Sequence, residues 1–170
     1  GLITLFLGFT IVWIIGLRHP NVRTILLLAF AIRAFFALVH YYIVPLPDSQ
    51  ADALTFERFA AQWAQGGLGN VLSHFQTGAY LYSWVLSVLY SLFGRSPLMA
   101  QGLNVLFGTL IVWNVYRISA SIWGERLGKR AALCTALFPT LVLYSAITMR
   151  EVAVVYTFTL GALYLIRYLK

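Results

Sequence analysis

Six apolar runs, at residues 2–17, 24–44, 79–93, 98–122, 131–148 and 152–169, take up most of this 170-residue chain. A helix needs about 20 residues, at 1.5 Å each, to cross a hydrocarbon core roughly 30 Å thick. Five of the runs come near that length or exceed it, and the run at 79–93 falls short. Apolar residues make up 61% of the sequence and charged residues 10%, where a soluble domain carries roughly a half and a quarter. The chain is therefore expected to be an all-α integral membrane protein.

The short run decides the topology. Ser83, Ser87 and Ser91 recur every four residues opposite Leu81, Val85, Val88 and Leu92, a pattern that suits a helix lying at the membrane interface. Were this run to cross, the basic stretches 18–23 and 117–130 would lie on opposite sides. If it lies flat, Arg18, Arg23, Arg117, Arg126, Lys129, Arg130, Arg167 and Lys170 all share one side, as the preference of basic loops for the cytoplasm requires. The expected arrangement has about five transmembrane helices and two juxtamembrane helices in a first outer loop at 45–97. The expected location is the cell (inner) membrane, with loops 18–23 and 117–130 cytoplasmic. The formal charge of +7 reads as topology, because the basic residues form no stripe or arm that would bind nucleic acid. Cys134 is the only cysteine, which excludes an internal disulfide and a cysteine metal cage and suggests a small buried thiol. The chain starts at Gly1 and stops after an apolar run at Lys170, so a piece of a longer protein is expected.

Three of the five carboxylates, Asp48, Asp52 and Glu57, fall in the outer loop, and Glu151 falls on the same side beside Arg150. After Pro45 and Pro47, residues 49–65 place Ala53, Phe56, Ala60 and Trp63 at steps of three or four. That spacing predicts an amphipathic helix ended by Gly66 and Gly67, followed by a polar connector at 67–78. Loops of this length are uncommon unless functional or disordered.

Asp52 has two readings. Ser49-x-x-Asp52 is a capping-box pattern, and a carboxylate at this place also suits catalysis. Asp48, four residues earlier, would share its helical face, where like charges repel unless a cation, a phosphate-binding base or a proton relieves them. Arg150 and Glu151 are either an interfacial ion pair between two spans or a phosphate grip beside a group that orients substrate or metal. Pro139 should kink its span. Arg33, in mid-span, costs at least about 2.5 kcal/mol unless partnered, so it should face the bundle interior. Asn104 and Asn114 are its expected partners, although interhelical polar contacts explain them equally well. Neither His40 nor His74 has a companion at metal-ligand spacing. Tyr41, Tyr42, Tyr80, Tyr82 and Trp84 read as an aromatic belt or as sugar-stacking rings. There is no nucleotide-binding glycine loop, zinc-binding helix motif or nucleophile elbow.

These residues resemble the GT-C type membrane glycosyltransferases, especially those similar to dolichyl-phosphate-mannose protein mannosyltransferases. Asp52, Phe56 and Ala60 match the spacing in that family's first outer loop. Phe93-Gly94-x-Ser96, Asn104, Gly108, Trp123-Gly124, Pro139, Tyr144-Ser145 and Arg150-Glu151 follow in the family's order. The resemblance covers 24–170 as the N-terminal part of a GT-C-like module, with 1–23 an additional transmembrane helix and basic cytoplasmic loop. It implies a sugar transferred, usually with inversion, from a polyprenyl-phosphate donor to an acceptor on the extracytoplasmic face. Asp52 would be the catalytic general base. Asp48, Arg150, Glu151 and His74 would be substrate-binding, with Arg150 on the donor phosphate. Ala53 stands where many members have a second acid, and Phe56 where Tyr is common. No metal ligands or certain cofactor are therefore expected, and a divalent cation stays an open option. The implied partners are the lipid-linked sugar donor and membrane lipids. Family members have a core of about seven spans, of which this chain supplies about four plus the extra first one. The alternative is a non-catalytic integral membrane subunit of a larger complex, built on a truncated scaffold and packing against other membrane subunits through Gly102 and Gly108. A channel or transporter is less favoured, because the spans hold no paired acids or broken-helix repeats.

Overall fold

The computed structural model describes residues 1–50 and 52–169, and every regular element among them is helical. In chain order these are α1 (Leu2–Arg18), α2 (Pro20–Tyr42), α3 (Asp52–Ala64), α4 (Gly67–Ser73), α5 (Leu81–Phe93), α6 (Pro97–Trp123), α7 (Glu125–Leu137), α8 (Pro139–Ala146) and α9 (Arg150–Tyr168). A 3-10 turn at Gly78–Tyr80 leads into α5.

The bundle is organised around α6, which packs against α1, α2, α7, α8 and α9. Its start is well specified: the Ser96 side chain accepts from the Met99 amide at 3.3 Å and Pro97 takes the first helical position, a favourable pairing of cap and proline. It ends at Gly124, whose φ of 85° few other residues adopt comfortably. Buried residues occur all round α6, including Gln101, Asn104 and Asn114, as expected of a helix at the centre of its neighbours.

Two helices, α2 and α6, are long and apolar enough to cross a membrane alone, and α8 with α9 form a third such unit bent by 118°. α1 is also apolar, at 17 residues. The runs at 2–17, 24–44, 98–122 and 152–169 each become one helix, but the span expected at 131–148 does not. It divides at Phe138, whose extended backbone (φ −65°, ψ 115°) precedes Pro139 at the start of α8. A residue before proline disfavours helical geometry, so the expected kink is a complete break. The expected basic loop at 117–130 is also mostly helix, interrupted at Gly124 alone. The turn back is tight: a Cβ on Gly128 would lie 2.8 Å from that of Ala120.

A buried polar side chain stabilises the break at Phe138. Pro139 has no N–H for the Thr135 carbonyl, and the wholly buried Arg33 supplies donors instead. Its Nη1 donates to the carbonyls of Ala29 and Ala136 at 3.0 Å, and its Nη2 to that of Thr135 at 3.3 Å. A cation at a helix C-terminus is also favoured by the helix dipole. Arg33 thus faces the interior as expected, but Asn104 and Asn114 are not its hydrogen-bond partners. Asn114 instead donates to Thr159 Oγ1 at 3.3 Å. Cys134, expected to be buried, is exposed on α7 beside Leu133 and Leu137.

The segment between α2 and α6 forms a layer of its own. The connector expected at 67–78 contains α4, and α3 packs closely on α5. Ser83 and Ser87 lie on the buried face of α5 with Leu86 and Tyr90, while Leu81, Val85 and Leu92 are exposed. Small hydroxyl residues let α3 bring Ala60 and Ala61 against this face. The exposed apolar edge suits a helix at a membrane surface. Glu57, buried in α3, accepts from Arg95 Nε at 2.9 Å and Nη2 at 2.8 Å. This two-pronged pair ties α3 to the turn before α6.

Candidate functional site

The polar cluster sits where α8 gives way to α9. Residues 147–149 leave the helix, and the Asn104 side chain holds them in place. Its Nδ2 donates to the carbonyls of Ile147 at 2.7 Å and Met149 at 2.9 Å, while its Oδ1 accepts from the Tyr82 hydroxyl at 3.0 Å. Burial pushes the Tyr82 phenol above its ordinary pKa, which keeps it a donor. One amide thereby joins α5, α6 and the α8–α9 break.

Arg150 opens α9. Its Nε donates to Glu151 Oε1 at 3.2 Å, and its guanidinium carbon lies 5.0 Å from the centroid of the Phe56 ring. Phe56 in turn meets the edge of Tyr82 at 6.2 Å, and Ala53 packs with Ile147 and Met149. Glu151 stands in the first turn of α9, where the helix dipole favours an acid. Both members of the pair are about a third exposed, so the contact adds at most about 1 kcal/mol. Glu151 Oε2 is buried and has no hydrogen-bond partner among the described residues.

Two apolar grooves flank the pair. One, of about 360 Å³ between α5, α6 and α9, is lined by Tyr82, Leu86, Leu103, Phe107, Arg150 and Val154. The other, of about 420 Å³ between α6, α8 and α9, is lined by Ile111, Phe138, Tyr144, Glu151 and Val155. Arg150 and Glu151 touch each other but open onto different grooves.

Asp52 is the first residue of α3 and is exposed. It precedes Phe56 by one turn, so both lie on the same side of the helix. The expected capping box is not seen among the described residues, where α3 begins at Asp52 and the Ser49 hydroxyl has no hydrogen-bond partner; residue 51 lies outside them. Asp48 does not share a helical face with Asp52, because it sits in the preceding turn with a φ of 62°. Asp tolerates this left-handed conformation better than most residues. The Tyr144 hydroxyl donates to Asp48 Oδ2 at 3.4 Å, tying this turn to α8.

His40 and His74 make local contacts. His74 ends α4, stacks on Trp63 at 5.7 Å and has Nδ1 2.8 Å from the Asn70 carbonyl. A carbonyl only accepts, so Nδ1 carries the proton. No contact joins His74 to Asp48, Asp52, Arg150 or Glu151 among the described residues. His40 Nδ1 accepts from the Leu46 amide at 3.0 Å, fixing the exit from α2. Among the described residues no three His, Cys, Asp or Glu side chains are grouped to hold a metal ion. Sequence reasoning missed the Tyr144 contact with Asp48 and the clamp made by Asn104. Both pair residues more than forty positions apart, so the family's motif order singles out Asn104 and Tyr144 but not their partners.

The fold and cluster define an integral membrane protein whose regular elements among the described residues are all helical, with charged groups gathered beside apolar grooves at one end of its bundle. Residues 77–170 match the dolichyl-phosphate-mannose-protein mannosyltransferase family, and the chain belongs to that family. The matched stretch contains Tyr82, Asn104, Arg150 and Glu151, and starts after Asp48, Asp52 and His74. No curated protein and no solved structure matches the chain.

Proposed function

We propose that the chain contributes to a membrane glycosyltransferase that moves a sugar from a polyprenyl-phosphate donor to an acceptor on the extracytoplasmic face of the inner membrane. The observation that carries this reading is Arg150 in the lining of an otherwise apolar groove. A polyprenyl phosphate is an anion on a long apolar tail, and the groove offers a guanidinium beside an apolar wall.

In the reaction the acceptor hydroxyl attacks the anomeric carbon. The bond from that carbon to the phosphate oxygen breaks, the phosphate leaves with the electron pair, and Asp52 takes the acceptor proton. Arg150 stabilises the charge gathering on the leaving phosphate. Asp52 suits the base because it is exposed one turn before the ring that Arg150 covers. Glu151 and Asp48 then orient the acceptor, and His74, which contacts none of these residues among the described ones, is given no step in this reading. With this end of the bundle extracytoplasmic, the basic stretches 18–23 and 117–130 face the cytoplasm.

The reading of a non-catalytic subunit gains no support from its small-residue face. Gly102 is covered by Thr4 of α1, and Gly108 by Ser145 of α8 and Arg33. Neither glycine is free for another subunit.

The test is sugar transfer from a labelled polyprenyl-phosphate donor by the full-length protein in proteoliposomes. Asp52→Asn should lower the rate at least about 100-fold, the usual contribution of a positioned base. A variant as active as wild type would remove Asp52 from the mechanism.

A further inference from the structure

We propose that a basic, aromatic cavity at the opposite end of the bundle binds the phosphate headgroup of an anionic membrane lipid. Arg167 lies seventeen positions after Arg150 in the same helix, which places it about 25 Å farther along the axis. Near it α6, α9 and the α1–α2 turn enclose about 300 Å³, lined by His19, Trp113, Tyr116, Arg117, Leu163 and Arg167 among others. This space is separate from both grooves beside Arg150.

The lining has the chemistry of a headgroup site. It contains no Asp or Glu, and neither Arg117 nor Arg167 forms an ion pair among the described residues. Glu125, the nearby acid, is already engaged by Lys129 at 3.5 Å and by the Tyr116 hydroxyl at 3.4 Å. Arg117 is held with its guanidinium carbon 5.4 Å from the Trp113 ring centroid. Stacking over a ring occupies the guanidinium face and leaves its in-plane N–H groups free to bind phosphate. The His19 and Tyr116 rings pack on Trp113 at 4.5 and 5.6 Å.

The surroundings favour a lipid over a soluble anion. Trp113 and Leu163 form a buried apolar floor, and the neighbouring surface of α9 exposes the Tyr164 ring. Acyl chains can lie along that surface while the headgroup reaches both arginines. Basic pockets between membrane helices bind anionic headgroups in this way.

The experiment is native mass spectrometry of the detergent-purified full-length protein titrated with phosphatidylglycerol or phosphatidylcholine. Wild type should retain one phosphatidylglycerol in preference to phosphatidylcholine, and millimolar inorganic phosphate should not displace it. The Arg117→Ala, Arg167→Ala double variant should lose about thirtyfold in apparent affinity, the combined effect of two basic groups at an anionic membrane surface. The corresponding double lysine variant keeps the charge without the planar fork, so it should fall between wild type and the alanine variant, and it serves if the alanine variant misfolds. Equal retention of the two lipids, or binding unchanged in the alanine variant, would overturn the proposal. Displacement by inorganic phosphate would also overturn it and make this a soluble-anion site. Sugar transfer plays no part in the readout, so the result is independent of the proposed activity.

Discussion

The guanidinium of Arg150 stands 5.0 Å from the centroid of the Phe56 ring, so the first residue of α9 is positioned by a side chain one turn into α3. The contact links the acidic loop segment to the charged end of the bundle, and it gives Phe56 a role that hydrophobic burial alone does not supply. Phe56→Leu keeps an apolar side chain of similar bulk but loses the ring. It should raise the KM for a polyprenyl-phosphate donor several-fold, as expected from a cation–π contact of about 0.5–1 kcal/mol. Phe56→Tyr should leave it nearly unchanged. Steady-state kinetics of the two variants check this, and equal KM values would show that the ring does not position Arg150.

Asn104→Leu should destabilise the protein by about 1–3 kcal/mol, because the carbonyls of Ile147 and Met149 lose a buried donor. The Tyr82 hydroxyl loses its acceptor in the same variant. Equilibrium unfolding in mixed micelles measures the effect. A loss below about 0.5 kcal/mol would mean that the break before α9 holds without the clamp.

Arg33 and Pro139 should be energetically coupled. Arg33→Met takes the Arg33 donor from the Ala136 carbonyl and leaves the Thr135 carbonyl only the long Phe138 N–H bond at 3.4 Å, whereas Pro139→Ala restores an N–H four residues after Thr135. In a double-mutant cycle the combined loss should be smaller than the sum of the single losses by about 1 kcal/mol, within the range for groups that share partners. Strict additivity would separate the arginine from the helix break.

Gly108→Ala should be more damaging than Gly161→Ala. A Cβ on Gly108 would come within 2.8 Å of Ser145 Cβ and 2.9 Å of Arg33 Nε, while one on Gly161 meets nothing within 4 Å. Overpacking of this kind costs about 1–3 kcal/mol. Melting temperatures measured side by side in the same detergent decide it, and equal values would contradict the packing described.

Much of the helical layout was legible because long apolar runs leave a chain few alternatives. The ends of α2, α3, α5 and α6 fall near proline and glycine signals, and Arg33 had to face inward. A turn between the last two spans was legible but was expected at Arg150 and Glu151, whereas these open α9 and the break lies at 147–149. Ile147, Thr148 and Met149 carry no turn signal, and the break depends on Asn104 from more than forty residues away. The partners of Arg33 were hidden for the same reason, since Asn side chains looked more suitable than carbonyls freed by a proline. The serine stripe on α5 was recognised but assigned no partner; it faces α3 because small residues permit close helix packing. In the candidate site, Arg150 beside Glu151 was plain from adjacency, whereas the ring beneath Arg150 comes from a different helix.

The central claim is that the groove lined by Arg150 receives the polyprenyl phosphate. The most direct measurement is photo-crosslinking of a diazirine-bearing polyprenyl-phosphate sugar to the full-length protein in proteoliposomes, with the modified residues located by peptide mass spectrometry. The predicted result is labelling of Leu86, Leu103, Phe107 or Val154, strongly reduced in Arg150→Gln. Labelling at Ile111 and Val155, on the other side of α9, or labelling indifferent to Arg150→Gln, would contradict it.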